Sequence, residues 1–353
     1  MSYKVGIIGA AGFAGAELVR LVLQHPEFEL AVITSNADAG TSLADVYPAF
    51  AGASDLVFTT HDDPAVKSCD LAFLAVPHTA AMAQAPALLD AGVTVVDLSA
   101  DYRLADKDVY EQWYGAKHTS PELLATRSFG LPELFGEDID RARELHAAGK
   151  PALVACAGCY PTATSIASAP AIRAGWTQGL VIVDAKSGVT GAGKGCNAKT
   201  HFCNADEDVQ AYNVGKHRHT PEIEQILGKP GEVVFTPHLV PQRRGILSTV
   251  YLQLTPEAAS MSVEEMVDYY DGFYAGRPFA QVLPAGKLPR TSSVTGTNVC
   301  QVGLAKNERT NTLVAIGAID NLCKGAAGQA VQCANLVFGL AEDAGLARVG
   351  MPV

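Results

Sequence analysis

Long apolar runs and dense basic runs are both missing from this sequence of 353 residues. No stretch reaches the roughly 18 uninterrupted apolar residues that a membrane-spanning helix requires. The net charge is −11, and no cluster of Lys and Arg offsets it, so attraction to a phosphate backbone is disfavoured. We therefore expect neither a nucleic-acid partner nor a membrane partner.

Little in the sequence suggests a leader segment, a metal site or a disulfide framework. The chain enters a strand-like run at Tyr3, which leaves no room for a charged segment followed by an apolar signal segment. Eight cysteines are few for a chain of this size, and Cys156-x-x-Cys159 has no second CxxC or HxxxH at zinc-site spacing. We expect a cytoplasmic protein with reduced thiols and no metal.

Enough apolar residues are present for two hydrophobic cores, since 48% of the chain is hydrophobic and 18% is charged. The pattern predicts an α/β protein with a Rossmann-like doubly wound parallel sheet and a second α+β domain. We place the first domain at 1–155 and the second at 156–324. A C-terminal helical segment, 325–353, is expected to return to the first domain.

The opening run, VGIIGAAGFAGAELVRLVLQHPEFELAVITSN, predicts a strand, a glycine turn, a helix and a second strand. Gly9-x-x-Gly12-x-x-Gly15 lies where the first strand gives way to the helix, so backbone N–H groups there can approach a pyrophosphate. Close strand–helix packing is the alternative explanation, and the strand–turn–helix context favours dinucleotide binding. The predicted contacts are Gly9, Ala11, Gly12, Phe13, Ala14 and Gly15.

The end of the second strand bears on which dinucleotide binds. An NAD site usually places an acid about 20 residues further on to bind the ribose hydroxyls. Here Thr34, Ser35 and Asn36 follow the strand, and no acid occurs before Asp38. These small polar residues leave room for a 2′-phosphate, although no arginine stands there to pair with it. We predict NADP as the cofactor, contacted by these three residues.

Further strands are predicted at 71–77 and 93–99, with a helix at 79–91 between them, as in a parallel sheet. Ligands collect beyond the carboxyl ends of such strands, which adds Pro77 and His78 to the predicted cofactor contacts. After about residue 160 the pattern changes to strands with long connections, which indicates a mixed or antiparallel sheet. Those strands are predicted at 180–185, 232–240, 246–254, 298–305 and 312–319.

Cys159 is the candidate nucleophile. It follows a strand-like segment, 152–155, and precedes a helix-compatible run from Pro161 through Ala171. The positive end of that helix favours a thiolate, and its free N–H groups can receive an oxyanion. Two alternatives remain open: a buried structural thiol, and a redox dithiol formed with Cys156.

A thiolate nucleophile needs a group that moves protons, and the run KHRHTPEIEQIL contains two histidines before a predicted helix. His217 and His219 titrate near neutral pH, and Glu222 in the first helical turn can orient one of them. A solvated cationic loop is the alternative. A cysteine nucleophile with NADP indicates aldehyde–acyl interconversion through a thioester, with water, coenzyme A or phosphate as the second acceptor.

Eight stretches, in order along the chain, resemble the N-acetyl-γ-glutamyl-phosphate reductase family, a relative of aspartate-semialdehyde dehydrogenase. They are GIIGAAGFAGAELVRLV (6–22), DLSADYRL (97–104), FGLPEL (129–134), GCYPTA (158–163), KSGVTGAGK (186–194), HRHTPEI (217–223), PHLVPQRRGI (237–246) and NLCKGAAGQAVQ (321–332). The resemblance spans almost the whole chain.

This resemblance implies NADPH-dependent reduction of N-acetyl-γ-glutamyl phosphate to the semialdehyde, in arginine biosynthesis, by a homo-oligomer (dimer or tetramer) joined through the second domain. It implies Cys159 as nucleophile, an acid/base in the HRH segment, and Arg103 and Arg244 for the substrate's carboxylate or phosphate. Of the two histidines we choose His219 as the acid/base and His217 for substrate binding. The implied cofactor-side residues of the second half are Ser187, Gly188, Gly191, Ala192, Gly193, Asn321, Lys324 and Gly325.

One departure from the family pattern adjoins the nucleophile: Cys156-Ala157 stands where an Asn-Pro pair is usual. This pair raises the hypothesis that Cys156 traps Cys159 in an inactivating disulfide. Two other functions compete with the family reaction. One is reduction of a carrier-protein-bound aminoadipyl or glutamyl phosphate in lysine biosynthesis, and the other is a non-catalytic NADP-binding redox sensor.

Overall fold

The structure is a computed structural model that describes residues 2–351, and the chain forms two compact units. The first unit contains the described residues through Ala157 together with Ala326–Leu346. The second contains Gly158–Gly325 and the described residues from Ala347 onward. None of the helices within residues 2–351 combines the length and the apolar character that crossing a bilayer requires.

The strands form two sheets. In chain order they are β1 Tyr3–Ile8, β2 Phe28–Thr34, β3 Leu71–Leu74, β4 Thr94–Asp97, β5 Ser128–Gly130, β6 Leu153–Cys156, β7 Thr177–Gly188, β8 Gln210–Ala211, β9 Val233–Val240, β10 Ile246–Leu254, β11 Ala280–Val282, β12 Cys300–Asn307 and β13 Thr312–Ile319.

The α-helices alternate with these strands in the first unit and are more scattered in the second. They are α1 Phe13–Leu23, α2 Leu43–Val46, α3 Ala81–Asp90, α4 Lys107–Tyr114, α5 Gly136–Ala147, α6 Cys159–Arg173, α7 Phe202–Ala205, α8 Thr220–Leu227, α9 Val263–Phe273 and α10 Gly328–Val337.

The first unit is built on a six-stranded parallel sheet in the order β2-β1-β3-β4-β6-β5. Strands β3 and β4 are buried at every position, as expected where helices cover both faces of a parallel sheet. The doubly wound sheet predicted from the sequence is confirmed, although β3 and β4 are shorter than the ranges predicted for them.

Helix α10 belongs to the first unit and is shorter than the C-terminal segment 325–353 named from the sequence. Two of its side chains hold it in place: Gln329 Nε2 donates to the Ala157 carbonyl (3.1 Å), and Gln332 Nε2 donates to Glu133 (2.9 Å). The carboxyl end of the chain then crosses to the second unit at Ala347.

The second unit is built on a seven-stranded mixed sheet in the order β11-β12-β13-β10-β7-β9-β8. Helix α6 packs on one face of it, against β10 and β13. Small residues allow a close approach, because a β-carbon on Gly317 would lie 2.4 Å from the Ala163 carbonyl oxygen. This buried helix therefore has a fixed position on the sheet.

The opposite face of this sheet carries exposed apolar side chains. Ile182 on β7 is paired in register with Val234 on β9 and with Tyr251 on β10. Their exposed fractions are 45%, 45% and 40%. We call the surface around these three residues the open face. An Asp184–Lys186 ion pair lies on the same face, because alternate residues of a strand point to one side.

Candidate active site

Cys159 is the first residue of the 15-residue helix α6. The helix begins two residues earlier than the run predicted from the sequence, so Cys159 lies inside the first turn rather than before it. Gly158 occupies the N-cap position and has no side chain to cap the helix. The thiol is half-buried, and Cys156 at the end of β6 is a buried free thiol.

Glu222 holds the residue that precedes the nucleophile. Its Oε1 accepts a hydrogen bond from the Gly158 N–H at 2.7 Å, and its side chain belongs to helix α8. Glu222 is only 1% exposed, and a buried charged acceptor of this kind makes a strong hydrogen bond. The carboxylate therefore fixes the backbone at the start of α6.

Gly325 packs directly on Cys159. A β-carbon at Gly325 would lie 2.7 Å from the cysteine's β-carbon and 3.2 Å from its α-carbon. Gly325 lies in a single π-helical turn, Cys323–Ala327, and its N–H donates to the Asp320 carbonyl at 2.9 Å. Only glycine fits at this position without moving Cys159.

His217 lies in an aromatic cluster formed with Tyr160, Tyr212 and Phe235. Its ring centroid is 5.5 Å from each tyrosine ring and 5.2 Å from the phenylalanine ring. Burial, assisted by the charge of Arg218, lowers the pKa of His217 from 6.5 to about 4. His217 is therefore neutral at physiological pH.

The hydrogen bonding of His217 assigns its tautomer. Nδ1 accepts the backbone N–H of His219 at 3.1 Å, so the proton of the neutral ring is on Nε2. Nε2–H is a hydrogen-bond donor, and the ring as a whole holds the backbone of His219. This arrangement suits a binding or positioning role rather than proton transfer near pH 7.

His219 is the half-buried N-cap residue of α8. Its ring centroid is 4.9 Å from that of His217 and 6.0 Å from that of Tyr160. Tyr160 directly follows the nucleophile in the chain, so the structure brings His219 into the same cluster of side chains.

Tyr160 and Tyr212 are members of this cluster that the sequence analysis missed. The Tyr212 hydroxyl donates to that of Tyr160 at 3.0 Å, and Tyr160 donates to the His238 carbonyl at 3.2 Å. Burial raises the pKa of both phenols, that of Tyr212 to about 12, and the charge of Cys159 adds to each shift. The only sequence signal was the adjacency of Tyr160 to the cysteine.

The predicted cofactor-side residues of the second unit lie at the end of β7, in the turn that follows it, and in the segment after β13. Asn321 joins them, since its Oδ1 accepts the Gly245 N–H (2.7 Å) and its Nδ2 donates to Thr190 Oγ1 (2.9 Å). Gly188 is required, because a β-carbon there would lie 2.8 Å from the Arg243 backbone. Ser187 and Gly188 are buried, whereas Gly191, Ala192 and Gly193 are exposed.

Three predicted ligand-binding cations have protein partners. Arg244 Nε lies 3.1–3.2 Å from the Asp320 carboxylate. Arg103 donates from Nε to the Cys156 carbonyl at 2.8 Å and from Nη2 to the Leu98 carbonyl at 2.7 Å. Lys324 is fully buried, with its Nζ 5.8 Å from the centre of the Phe279 ring.

The glycine turn of the first unit has the geometry that a pyrophosphate requires. Gly9 has a φ of +89°, and a β-carbon on it would lie 2.4 Å from the Ala75 carbonyl oxygen. A β-carbon on Gly15 would lie 2.2 Å from the Gly9 oxygen. Gly12 caps helix α1 without a side-chain hydrogen bond, so the first N–H groups of this helix are available to an anion.

The remaining predicted cofactor residues surround this turn in the first unit. Thr34 and Ser35 are buried, whereas Asn36 and Pro77 are exposed. The ring of the half-buried His78 is tilted by 54° against that of Tyr114, with the ring centroids 5.8 Å apart.

Asp101 supports the loop that follows β3. Its buried carboxylate accepts the N–H groups of Thr79 (2.8 Å) and Met82 (3.0 Å) and the hydroxyl of Tyr110 (2.8 Å). It therefore serves as a structural anchor at the start of α3.

Within the second unit the structure gathers Cys159, Glu222, His217, His219 and Gly325 around one helix terminus. Within the first unit it gathers the glycine turn and the end of β2. Among residues 2–351, no group of three His, Cys, Asp or Glu side chains is arranged to hold a metal ion.

Comparison with known families identifies both units. Residues 4–142 match the family model for the semialdehyde dehydrogenase NAD binding domain, and residues 159–321 match the semialdehyde dehydrogenase dimerisation domain. Aspartate semialdehyde dehydrogenase II from Vibrio cholerae has the same fold, with a TM-score of 0.71 at 18% identity, over 96% of this chain and 98% of that one. The enzyme from Candida albicans, solved with NADP, gives a TM-score of 0.68 at 18% identity over the same shares. The chain is therefore a member of the semialdehyde dehydrogenase class.

Curated relatives narrow the family. N-acetyl-gamma-glutamyl-phosphate reductases from Symbiobacterium thermophilum and Pelotomaculum thermopropionicum are 49% and 47% identical to this chain, each over 99% of both sequences. The reductase from Azotobacter vinelandii is 44% identical over the same shares. The chain belongs to the N-acetyl-gamma-glutamyl-phosphate reductase family.

Proposed function

We propose that this protein reduces N-acetyl-γ-glutamyl phosphate to N-acetyl-L-glutamate 5-semialdehyde and phosphate with NADPH, in arginine biosynthesis. The observation that carries the proposal is Cys159 in the uncapped first turn of α6, beside two histidines, in a chain whose relatives at up to 49% identity carry this reductase's name.

Cys159 is the proposed nucleophile. Its thiolate attacks the acyl carbon, the bond from that carbon to the phosphate oxygen breaks, and a thioester and phosphate result. The N-terminal end of α6 favours both the thiolate and the oxyanion that forms on the acyl oxygen. Glu222 and Gly325 act as positioning residues, since one fixes the backbone at Gly158 and the other leaves room for the cysteine.

His219 is the proposed acid/base, as the sequence suggested. The neutral state of His217 supports this assignment, because a ring with a pKa of about 4 is a poor proton donor near pH 7. His217 holds the His219 backbone through Nδ1, and its Nε2–H is the proposed donor to the substrate. When the thiohemiacetal collapses, His219 takes up the hydroxyl proton and the thiolate leaves.

The residues of the glycine turn fit a dinucleotide. The uncapped N-terminus of α1 and the close approach at Gly9 and Gly15 would hold the pyrophosphate. Bound NADPH supplies the hydride that reduces the thioester. Ser187, Gly188, Asn321 and the residues near them remain the proposed contacts on the nicotinamide side. Lys324 is a weaker candidate for a cofactor contact, because its amine lies inside the core of the second unit.

Arg244 and Arg103 are the proposed substrate-binding cations. Arg244 is the better supported, since its side chain remains 25% exposed while its Nε is anchored by Asp320. Arg103 is 9% exposed and donates to two backbone carbonyls, so its contribution also includes holding the loop before Gly158.

The proposed assembly is a homodimer formed through the open face, within a cytoplasmic enzyme without nucleic-acid or membrane partners. Support comes from the match of residues 159–321 to a dimerisation domain and from the exposed Ile182, Val234 and Tyr251 on one side of that unit's sheet. A second copy would cover these apolar side chains.

The decisive experiment measures NADP⁺ reduction with N-acetylglutamate semialdehyde, with and without phosphate. We expect phosphate-dependent turnover that falls by at least about 10³-fold in Cys159→Ser. Cys203→Ser, which changes an exposed cysteine, is the matched control and should leave the rate unchanged.

Other outcomes contradict the proposal in distinguishable ways. Turnover that is independent of phosphate would exclude an acyl-phosphate reductase. Tight NADPH binding without turnover would favour the carrier-protein-bound substrate or a redox sensor.

A further inference from the structure

A pocket of about 540 Å³ lies in the first unit beside the glycine turn. Ile8, the residue directly before Gly9, forms part of its wall. Asn36 at the end of β2 and Gln84 on α3 line it as well. A dinucleotide whose pyrophosphate lies on the glycine turn would therefore extend its adenosine half into this pocket.

The end of β2 lacks a charged side chain for the adenosine ribose. Thr34, Ser35 and Asn36 are all neutral, and Asn36 uses its Oδ1 to accept the backbone N–H of His61 at 2.8 Å. Ser35 donates to Asp38 at 2.6 Å, which engages the nearest acid. Neither an acid for the ribose hydroxyls nor a cation for a 2′-phosphate is supplied by these three residues.

The segment before β3 supplies the basic side chains that the end of β2 lacks. Residues 57–61 run alongside the end of β2, through a parallel bridge between Thr34 and Thr59 and a 2.9 Å hydrogen bond from the Ser35 N–H to the Thr59 carbonyl. This places His61 next to Thr34, with Nδ1 at 2.7 Å from the threonine hydroxyl.

His61 and Lys67 are the basic side chains that line the pocket. Burial lowers the pKa of His61, so its ring serves as a neutral donor beside the Lys67 cation. The two acids in its wall are both engaged by local donors: Asp62 accepts the Thr60 hydroxyl, and Asp63 accepts the Ala65 N–H at 2.8 Å. When Nδ1 of His61 accepts from Thr34, Nε2 carries the proton and can donate. The Nε2–H of His61 and the ammonium group of Lys67 are both hydrogen-bond donors that suit a phosphate.

Gln84 supplies the complementary feature for the base. Its Oε1 is buried and has no hydrogen-bond partner among residues 2–351. A buried acceptor without a partner is costly, so an amino donor from a ligand would satisfy it. The exocyclic amine of adenine is such a donor.

We propose that His61 and Lys67 determine the preference of this protein for NADPH over NADH by binding the 2′-phosphate, and that Gln84 binds the adenine amine. This inference rests on the proposed function for its choice of cofactor. It assigns the phosphate charge to the segment before β3 rather than to the residues that follow β2.

The test is a calorimetric titration with 2′,5′-ADP and 5′-AMP, followed by titrations with NADPH and NADH. His61→Asn keeps an acceptor for Thr34, and Lys67→Met keeps the apolar stem. Each substitution should lower the affinity for 2′,5′-ADP and for NADPH by about 10- to 100-fold, which is the value of a charged hydrogen bond. The affinities for 5′-AMP and NADH should change less than twofold. Lys150→Met, an exposed lysine outside the pocket, is the control.

Gln84 is tested by replacing the base. The natural protein should bind NADPH about tenfold more tightly than its hypoxanthine analogue, which lacks the amine. Gln84→Leu should remove that difference.

The outcomes separate this inference from the proposed function. If His61→Asn and Lys67→Met both leave the affinity for 2′,5′-ADP unchanged, the inference is overturned, even if the natural enzyme turns over the semialdehyde. If both variants lose affinity for 2′,5′-ADP and the natural protein shows no turnover, the inference is supported and the proposed reaction is rejected. Equal losses for NADPH and NADH would also overturn the inference, because they would show general damage to the pocket.

Discussion

Gly325 packs against the α- and β-carbons of Cys159, with no space for a side chain between the two residues. A methyl group at Gly325 would approach the β-carbon of Cys159 to 2.7 Å. Gly325→Ala should therefore move the nucleophile. We expect a loss of about 1–3 kcal/mol in the free energy of unfolding and a fall in kcat of about 100-fold, the cost of a displacement near 1 Å.

Gly272→Ala is the matched control for that substitution. Gly272 lies in helix α9, and nothing is within 4 Å of the position its β-carbon would take. This variant should keep its activity and gain up to about 1 kcal/mol of stability, because alanine favours a helix. Natural activity in Gly325→Ala would show that the contact does not position Cys159. Chemical denaturation and steady-state kinetics provide both measurements.

The hydrogen bond from Gly158 to Glu222 yields a second prediction. Glu222→Ala leaves that buried N–H without its acceptor, and we expect a stability loss of about 1–3 kcal/mol with a clear fall in kcat. Glu222→Gln keeps an oxygen acceptor and should recover part of both losses. The rate at which iodoacetamide alkylates Cys159 reports the cysteine's environment directly. Glu264→Gln, at an exposed position of α9, should match the natural protein.

If Glu222→Ala and Glu222→Gln show equal kcat values, the hydrogen bond is not what positions the start of α6. A carboxylate charge effect would then be the better explanation.

The buried His217 predicts a pH dependence of stability. Its pKa is about 4 in the folded protein and 6.5 in the unfolded chain, so the unfolded state binds more protons between these values. Stability is therefore fully present above pH 6.5 and falls as the pH drops toward 4, by up to about 3 kcal/mol from this residue. His217→Asn keeps an acceptor for the His219 N–H and removes the titration. Urea unfolding between pH 4 and 7.5 should show a shallower slope for the variant.

Identical slopes for His217→Asn and the natural protein would show that His217 is not held neutral by burial. His25, His61 and His146 also have pKa values lowered by burial. These three histidines contribute equally to the pH dependence of stability in the natural protein and in His217→Asn, so their contribution cancels in the comparison.

The open face predicts a change of assembly. Ile182→Asp places a charge among apolar side chains that a second copy would cover, so sedimentation velocity should show a shift from dimer to monomer at micromolar concentration. Val57→Asp changes a residue of similar exposure in the first unit, 46% against 45%, and should leave the assembly unchanged. A dimer that survives Ile182→Asp would place the interface elsewhere.

Features that depend on a local pattern of residues could be predicted from the sequence. Strands β10 and β13 have the predicted bounds, because alternating residues ending in turns mark them clearly. The glycine turn was predictable as well, since Gly9 and Gly15 stand where any side chain would collide with backbone. The class of reaction was indicated by the candidate nucleophile Cys159 together with the predicted NADP site.

Other features depend on contacts between distant segments. Tyr212 and His61 carry no local signal, and they reach Tyr160 and Thr34 only after folding. The start of α6 was placed too late because Pro161 suggested the first turn, whereas Glu222 stabilises an earlier start from 64 positions away. Burial of Lys324 was equally invisible, since nothing near it in the chain indicates the Phe279 ring.

The contact between Cys159 and Gly325 also has a consequence for the architecture of the gene. The chain leaves the first unit after Ala157 and returns to it at Ala326, and the touching residues lie within two positions of both crossings. The segment 158–325 is thus an insertion with adjacent ends. Joining Ala157 to Ala326 through a short linker would encode the dinucleotide-binding unit as one uninterrupted chain. Cys159, the candidate nucleophile, lies two residues after the first crossing, so an exchange of this insert would exchange the proposed catalytic cysteine with it.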